Sequence, residues 1–231
     1  MSSLFVTATG TEIGKTFVTC ALVDQLRRSG QRVRAIKPVV SGFDSDNAHD
    51  SDCAHLLAAQ QRPLLDDLDK ISPWRYRAPL SPDMAAAAEN RHVPFDALVS
   101  FCRDADNPDT TLLIEGIGGA MVPLDESHTV LDWIAALNAP ALVVTGSYLG
   151  ALSHTLTTCM AIRARKVEIQ AVLVSESVHD AVDLKATCDT LQRFLPDTPI
   201  SAVARLPGNE AWRNAPDLLG AAGLQPGTKH G

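Results

Sequence analysis

The residues best suited to chemistry lie near the N-terminus, in the turn Thr9-Gly10-Thr11-Glu12-Ile13-Gly14-Lys15-Thr16. This turn follows a short apolar run and precedes apolar residues spaced four apart, so it is predicted to join a strand to a helix. Backbone N–H groups of such a turn, together with the helix N-terminus, bind anionic oxygens. Lys15 would add a positive charge for the β- and γ-phosphates, and the Thr16 hydroxyl could ligate Mg²⁺. The pattern therefore predicts a phosphate site, although Thr9 stands where such turns usually carry glycine. The alternative is a chance helix N-terminus with an exposed lysine.

A second basic residue follows the next predicted strand, in the segment Lys37-Pro38-Val39-Val40-Ser41-Gly42. Because ligands of parallel sheets bind at the carboxyl ends of the strands, Lys37 is expected to share a rim with Lys15. Two adjacent ammonium groups would make a strongly electropositive pocket for a phosphoryl group or for a substrate carboxylate or carbamate. A solvated lysine at a strand end is the alternative, but Pro38 and Gly42 favour a fixed turn and a functional role.

Two acidic features could complete a magnesium site with Thr16. Any carboxylate of the run Asp44, Asp46, Asp50 and Asp52 could serve, and Asp52 is the best anchored because it opens a predicted helix. The other feature is Glu115-Gly116-Ile117-Gly118-Gly119, where a carboxylate leaves a buried strand into a turn whose glycines let backbone N–H groups approach a ligand. The alternatives are solvated loops for the aspartates and a surface glutamate for Glu115.

Strands and helices alternate along the chain, which predicts an α/β fold: a three-layer, doubly wound, mostly parallel sheet of the P-loop type. The predicted strands are Leu4-Phe5-Val6, Val33–Ile36, Leu112–Ile114, Ala141–Thr145, Ala171–Val174 and Ser201–Ala204. The predicted helices cover 17–29, about 51–60, 84–90, 95–104, 130–137, 150–165 and 182–195. The proline-rich segment 62–82 is predicted to be a long loop. A single domain is expected over 1–224, with a disordered tail over 225–231.

Composition restricts the classes of partner. The chain has 231 residues, 45% of them hydrophobic and 20% charged, with a formal net charge of −7. This charge argues against nucleic acid or an anionic membrane as a partner, and no apolar stretch is long enough to span a bilayer. The five cysteines are scattered without a Cys-x-x-Cys pair, so reduced thiols, a cytoplasmic location and no zinc site are expected.

Over about residues 3–210 the chain resembles the dethiobiotin synthetase family. The resemblance rests on the three segments above and on further motifs in the same order and spacing: Ser51-Asp52, Ala78-Pro79-Leu80-Ser81-Pro82, Val122-Pro123-Leu124, Asp132-Trp133, Leu149-Gly150 and Ser153-His154-Thr155. It implies an ATP-dependent ligase of biotin biosynthesis that takes 7,8-diaminopelargonate, CO₂ and MgATP. In the reaction that the resemblance implies, a carbamate attacks the γ-phosphate, which gives a carbamic–phosphoric anhydride and releases ADP. The second amine then closes the urea ring, releasing phosphate.

The resemblance also implies roles for individual residues. Lys15, Lys37 and Thr11 would be catalytic, and Thr16, Asp52 and Glu115 would hold Mg²⁺. The nucleotide would contact Glu12, Ile13, Gly14, Lys15, Thr16, Phe17, Glu115, Gly118, Ser175, Leu206 and Pro207. The substrate would contact Lys37, Ser41, Gly150 and Ser153. The family closes its ring across a homodimer, with the 150–153 turn of one subunit reaching the other subunit's substrate.

Two departures from the family pattern affect specificity. Ser175 stands where many members carry Asn, and a single hydroxyl reads a purine edge less well than an amide does, so nucleoside triphosphates other than ATP are also expected to be accepted. Ser153 likewise stands where Asn is common. The alternative function is an ATPase switch protein of the ParA/MinD type, but the chain has no lysine between residues 1 and 14, where those proteins carry a signature lysine.

Overall fold

The computed structural model describes residues 3–179, 181–208 and 210–224. Its eight strands are β1 (Ser3–Ala8), β2 (Val33–Ile36), β3 (Val39–Val40), β4 (Trp74–Arg75), β5 (Thr111–Glu115), β6 (Ala141–Gly146), β7 (Ile169–Ser175) and β8 (Ile200–Val203). Its eight α-helices are α1 (Lys15–Arg28), α2 (Asp52–Ala59), α3 (Leu64–Ile71), α4 (Pro82–Ala87), α5 (Phe95–Ala105), α6 (Val130–Leu137), α7 (Ala151–Ala164) and α8 (Leu184–Phe194). Short 3₁₀ helices cover Ala48–Asp50 and Ala211–Asn214.

Six strands form the central sheet, in the order β2-β5-β1-β6-β7-β8, with every pair parallel. All residues of β6 are buried, which means that helices cover both faces of the sheet. From β1 the chain runs to the edge strand β2 and returns to β5, which lies between β2 and β1. It then crosses to β6 on the other side of β1, so the winding reverses beside β1. The predicted three-layer, doubly wound fold is confirmed. Among the described residues, no helix is both long enough and apolar enough to cross a membrane.

The predicted long loop over 62–82 is wrong. This segment contains α3, the short strand β4, which pairs with β3, and the first residue of α4. The prolines predicted a loop, but each lies at a position that a helix or strand tolerates. Pro63 precedes α3, Pro73 precedes β4, and Pro82 is the first residue of α4. The predicted tail, 225–231, lies outside the described residues, and the single domain over 1–224 stays a prediction.

Strand register brings the site residues to one edge of the sheet. Ile36 of β2 is the partner of Ile114 of β5, so the residues that follow them, Lys37 and Glu115, are adjacent. Glu115 is in turn the partner of Val6 in β1, just before the phosphate-binding turn. The carboxyl ends of these three strands therefore carry Lys37, Glu115 and the turn side by side.

Candidate active site

The phosphate-binding turn leaves β1 in a backbone conformation that suits an anion site. Gly14 has a φ of 100° at the N-cap of α1, and Glu12 has a φ of 57°, a left-handed conformation rare outside glycine. Lys15 is the first residue of α1, and its ammonium folds back over the turn. Its Nζ donates to Gly10 O at 3.0 Å and to Gly118 O at 2.8 Å. The lysine thus ties the turn to the glycine-rich segment after β5.

A second ammonium group lies between two carboxylates. Lys37 Nζ donates to Glu115 Oε1 at 2.7 Å and also to Asp52 Oδ2. The Thr16 hydroxyl donates to the same Glu115 oxygen at 2.7 Å. We call these four residues the Lys37 cluster. Helix α2 supplies Asp52, α1 supplies Thr16, and the adjacent ends of β2 and β5 supply the other two, so four elements must pack correctly to form it.

Burial and the neighbouring charges shift the pKa values of these groups. Burial alone would lower the pKa of Lys37, but Glu115 and Asp52 outweigh it and raise that pKa above its ordinary value. Burial would likewise raise the pKa of Asp52, but the charge of Lys37 lowers it instead. Among the described contacts, Lys15 Nζ bonds only backbone carbonyls, and burial, reinforced by the charge of Lys37, outweighs Glu115 and Asp52 and lowers the pKa of Lys15 to about 8. Both members of the Lys37–Asp52 pair are therefore charged at neutral pH.

The charge balance differs from the electropositive pocket that the sequence predicts. Lys15 and Lys37 do lie near one another, but Asp52 and Glu115 contribute two negative charges beside them. Glu115 is fully buried and Lys37 is nearly so. Charges removed from water in this way need partners, and each carboxylate here has Lys37 as its partner. The positive character of the site thus depends on what else binds the carboxylates.

The oxygen atoms of the Lys37 cluster fit a magnesium ion. Thr16, Asp52 and Glu115 present a hydroxyl and two carboxylates, the hard oxygen donors that Mg²⁺ prefers. The second oxygen of Glu115, Oε2, is buried and has no hydrogen-bond partner in the described part of the chain. Within the described residues, no three aspartate, glutamate, histidine or cysteine side chains are grouped so that they alone could hold a metal ion. A few protein oxygens, completed by water and phosphate, are the usual environment of Mg²⁺.

The glycine-rich turn after β5 packs closely on the phosphate-binding turn. A Cβ on Gly119 would lie 3.2 Å from the Thr9 carbonyl. A Cβ on Gly118, whose φ is 59°, would lie 2.7 Å from Val122 and 3.6 Å from the Thr11 hydroxyl. The glycines thus allow the two turns to approach each other, and the exposed Thr11 lies beside Gly118.

Of the residues predicted to contact a nucleotide, Ser175 also reaches this turn. It ends β7, and its hydroxyl lies 3.1 Å from the position that a Cβ on Gly14 would take. Ile13 packs within the turn, its Cδ1 being 3.0 Å from the corresponding position on Gly10. Phe17, in the first turn of α1, is partly buried against the core. The Ser175 hydroxyl therefore faces the phosphate-binding turn.

Leu206 and Pro207 belong to a segment after β8 that is held by an acidic side chain. The backbone N–H of Arg205 donates to Glu176 at 3.0 Å, and Glu176 directly follows β7. Pro207 is exposed and Leu206 is partly buried. This pairing places the 205–207 segment at the same sheet edge as Ser175.

The predicted substrate residues lie on neighbouring loops. Ser41 follows β3, in a loop where Gly42 N donates to Ala78 O at 3.0 Å. Gly150 is the N-cap of α7 with a φ of 101°, and Ser153 is exposed in the first turn of that helix. The described contacts bring none of Ser41, Gly150 and Ser153 directly onto the Lys37 cluster. A substrate bound to both would have to span the distance between them.

Structure singles out one carboxylate from the acidic run. Asp44 accepts the backbone N–H of Asp46 at 2.9 Å and is exposed, and Asp46 and Asp50 are exposed as well. Only Asp52 of the four bonds Lys37 among the described contacts. The Lys37–Glu115 ion pair was missed from the sequence, although both residues directly follow predicted strands, and knowledge of the strand order would have found it.

Comparisons with known proteins are consistent with this geometry. Residues 2–215 match the family model described as "AAA domain". The ATP-dependent dethiobiotin synthetase of Caulobacter sp. (strain K31) is 48% identical over 223 residues, covering 96% of each chain. The enzyme of the same name from Acidiphilium cryptum (strain JF-5) is 45% identical, covering 86% of this chain and 91% of its own.

Solved structures show the fold. A ParA family ATPase from Chlorobium tepidum TLS has a TM-score of 0.51 at 15% identity, covering 98% of this chain and 95% of its own. The MinD protein of Pyrococcus horikoshii OT3 has a TM-score of 0.51 at 16% identity, with coverages of 92% and 86%. The relation to ParA and MinD is therefore one of fold only. From its identity to relatives over almost its whole length, the chain belongs to the family of the ATP-dependent dethiobiotin synthetases.

Proposed function

We propose that the Lys37 cluster and the phosphate-binding turn form the catalytic centre of a dethiobiotin synthetase that takes 7,8-diaminopelargonate, CO₂ and a nucleoside triphosphate. The observation that carries this proposal is the bonding of Lys37 to both Asp52 and Glu115, with Thr16 on the same Glu115 oxygen. Phosphoryl transfer depends on positioning and charge stabilisation rather than on a protein nucleophile, and this site supplies both.

The nucleotide would bind along the turn between β1 and α1. Its phosphates would accept hydrogen bonds from the turn's backbone N–H groups and from Lys15, whose ammonium now bonds two backbone carbonyls. Thr16, Asp52 and Glu115 are the residues that would hold Mg²⁺. When bound there, the ion would neutralise phosphate charge and leave Lys37 less tied to the carboxylates.

In the proposed reaction, one amine of the diamine takes up CO₂ and loses a proton to give a carbamate. A carbamate oxygen attacks the γ-phosphorus, and the bond to the nucleoside diphosphate breaks. The second amine then attacks the carbonyl carbon of the mixed anhydride, expelling phosphate and closing the five-membered urea. Lys37 would stabilise the negative charge on the carbamate and the transferred phosphoryl group, and Thr11 would contribute a hydroxyl donor. Holding the two reacting groups in place supplies much of the rate enhancement.

Base selectivity is expected to be weak. Ser175 has one hydroxyl where an amide could both donate and accept, and this hydroxyl lies toward Gly14 rather than in open space. Leu206 and Pro207 would flank the base on its other side. We therefore propose that nucleoside triphosphates other than ATP also serve as co-substrate.

We further propose that the protein works as a homodimer in the cytoplasm. The substrate chain would run past Ser41 toward Gly150 and Ser153 of a second subunit in a homodimer. Leu149 is 82% exposed beside Gly150, and Leu152 is also exposed, so the turn carries apolar surface that a partner would cover. A cytoplasmic location is supported by five cysteines that are all free thiols, four of them buried.

The deciding experiment measures phosphate release from MgATP with bicarbonate, with and without 7,8-diaminopelargonate, and detects the product by mass. We expect diamine-dependent release together with the mass of dethiobiotin, and similar results when CTP or GTP replaces ATP. A rate of ATP hydrolysis that is the same with and without the diamine would instead support an ATPase switch protein. No hydrolysis with any nucleotide would contradict a catalytic role altogether.

A further inference from the structure

A buried glutamine at the end of α2 makes an unusual set of hydrogen bonds. Gln60 is the C-cap of α2 and is 8% exposed. Its Oε1 accepts the Ala35 N–H at 2.9 Å, and its Nε2 donates to Ala35 O at 3.0 Å and to Leu56 O at 3.1 Å. One side-chain amide thus satisfies both the N–H and the carbonyl of a single strand residue.

That strand residue lies at the outer edge of the sheet. β2 is the edge strand, paired in the central sheet with β5 alone. An unpaired edge exposes backbone groups that need partners, and the Gln60 amide supplies them as a neighbouring strand would. Ala35 is two residues before Lys37, so Gln60 holds the strand segment that delivers the Lys37 ammonium.

Helix α2 also carries Asp52, the residue that bonds the Lys37 ammonium. Asp52 is the first residue of α2 and bonds Lys37 Nζ, whereas Gln60 caps the other end and bonds Ala35. A helix of eight residues is about 12 Å long, so α2 is fastened to the β2 segment at both ends. Loss of the Gln60 anchor would let the C-terminal end of α2 shift and change the approach of Asp52 to Lys37.

We propose that Gln60 is a positioning residue for the reaction: it holds α2 against β2 so that Asp52 and Lys37 meet in the geometry needed for phosphoryl transfer. This inference rests on the proposed function of the Lys37 cluster. Gln60 touches neither substrate nor nucleotide in this view. Its effect passes entirely through the placement of Asp52 relative to Lys37.

The chain offers a closely matched control in Gln25 of α1. Its Oε1 accepts Leu218 N–H at 2.9 Å, and its Nε2 donates to Pro216 O at 2.7 Å and to Ala215 O at 3.4 Å. Like Gln60, it accepts one hydrogen bond, donates two, and fastens a helix to another backbone segment. Two of the Gln60 bonds reach Ala35 and the third stays within α2, whereas all three Gln25 bonds reach the 215–218 segment. It lies ten residues along α1 from Lys15, about 15 Å from the phosphate-binding end.

The test compares Gln60→Met with Gln25→Met, because methionine keeps the side-chain length and removes the hydrogen bonds. Both variants are expected to lower the melting temperature. Gln60→Met should lower kcat at least about tenfold, with KM for MgATP unchanged within about twofold, because a small misplacement of reacting groups is costly while the turn is intact. Gln25→Met should keep kcat. Equal kcat values in the two folded variants would overturn the proposal.

A second readout does not depend on turnover. An amine-reactive reagent followed by mass spectrometry reports how accessible Lys37 is, with the exposed Lys70 as internal reference. The Lys37 labelling rate should rise several-fold in Gln60→Met and stay unchanged in Gln25→Met. If Lys37 is labelled at the wild-type rate in both variants, the inference about Gln60 is contradicted. If the wild-type protein makes no dethiobiotin, only the proposed function is contradicted.

If Gln60→Met does not fold, Gln60→Glu takes its place. Glutamate keeps an oxygen acceptor for the Ala35 N–H and loses the amide donor to Ala35 O and Leu56 O. The same two readouts then apply, with a smaller fall in kcat and a smaller rise in Lys37 labelling expected. Wild-type values for both in this variant would overturn the proposal.

Discussion

Lys37, the proposed catalytic lysine, is also important for the stability of the folded protein. Its ammonium is removed from water, which is unfavourable by itself, and two carboxylates compensate. Glu115 has no exposed surface and depends on Lys37 and Thr16 for its partners. A change at Lys37 is therefore expected to affect the folded state as well as turnover.

We expect Lys37→Ala to lower turnover at least about a hundredfold, because it removes a charge that stabilises the transition state. The fold and nucleotide binding should persist, since Lys15 and the turn are unchanged. Stability should fall by about 3 kcal/mol, because Glu115 is left as a buried charge without its cation. Diamine-dependent phosphate release, ADP titration calorimetry and urea unfolding measure the three effects.

Lys70→Ala is the control for this prediction. Lys70 also bonds a carboxylate, Asp67, at 2.6 Å, but its side chain is 60% exposed. Because the Lys70 ammonium lies in water, its ion pair is expected to contribute little to stability, and the residue lies outside the Lys37 cluster. Normal turnover in Lys37→Ala, or equal losses in the two variants, would contradict the role given to Lys37.

A substitution at Gly118 tests whether the glycine-rich turn after β5 packs closely on the turn after β1. Alanine there would meet Val122 at 2.7 Å and would have to keep a φ of 59°. At Gly30, with a φ of 79°, a Cβ meets nothing within 4 Å. We expect Gly30→Ala to cost about 1 kcal/mol from the backbone alone. Gly118→Ala should cost clearly more and weaken ADP binding, because the Gly118 carbonyl holds Lys15. Equal costs by urea unfolding would argue against steric crowding at Gly118.

Among the elements, helix α3 lies in a proline-rich segment and is stabilised by ion pairs. Asp67 in this helix bonds Arg62 at 2.8 Å and Lys70 at 2.6 Å. The hydrogen bonds from Arg62 and then Lys70 lower the pKa of Asp67 to about 2. The carboxylate thus fastens the segment before α3 to the helix itself.

This shift predicts acid sensitivity. The folded-state pKa of Asp67 lies below its ordinary value of 3.8, so its stabilising effect is present above about pH 4 and is lost as pH falls toward 2. The free energy of unfolding of the wild type should exceed that of Asp67→Asn by about the same amount at every pH between about 5 and 8, because the carboxylate is fully ionised in both the folded and the unfolded state there. Below about pH 4 that difference should shrink. Urea unfolding at several pH values measures it.

Asp66→Asn is the control, since Asp66 lies in the same helix, is exposed and has no ion pair among the described contacts. Its stability difference from wild type should stay small at every pH. A difference for Asp67→Asn that does not change with pH would show that the carboxylate is not held by these two cations in solution.

For the whole molecule, the exposed leucine beside Gly150 is the surface that most needs a partner. We expect Leu149→Asp to shift a homodimer toward monomer and to lower turnover, because a charge cannot be buried at low cost in an apolar contact. Phe194→Asp is the control, since Phe194 is 64% exposed at the far end of α8. Light scattering across a dilution series and phosphate release measure the two effects. A monomeric wild type with full turnover would contradict the proposed assembly.

The elements with strong local signals could be read from the sequence. β2 lies where it was predicted, and β8 is displaced by one residue, because buried parallel strands leave short apolar runs. Helix α4 begins two residues before its predicted start, because Pro82 fits the first turn of a helix. Helix α3 was missed altogether, because its amphipathic pattern spans only eight residues between prolines.

The sequence by itself determined the candidate residues for the chemistry: a lysine and a threonine in a turn after a strand, a lysine that follows a second strand, and a glutamate at the end of a third. Those signals are local, since each depends on residues close together in the chain. Only the tertiary structure decided that Lys37 lies between Asp52 and Glu115, that the two cations are balanced by two anions, and that Gln60 completes the sheet edge. These features depend on strand order and helix packing, which bring together residues as far apart in the chain as Lys37 and Glu115, 78 positions, and Thr16 and Glu115, 99 positions. No short stretch of sequence encodes such contacts.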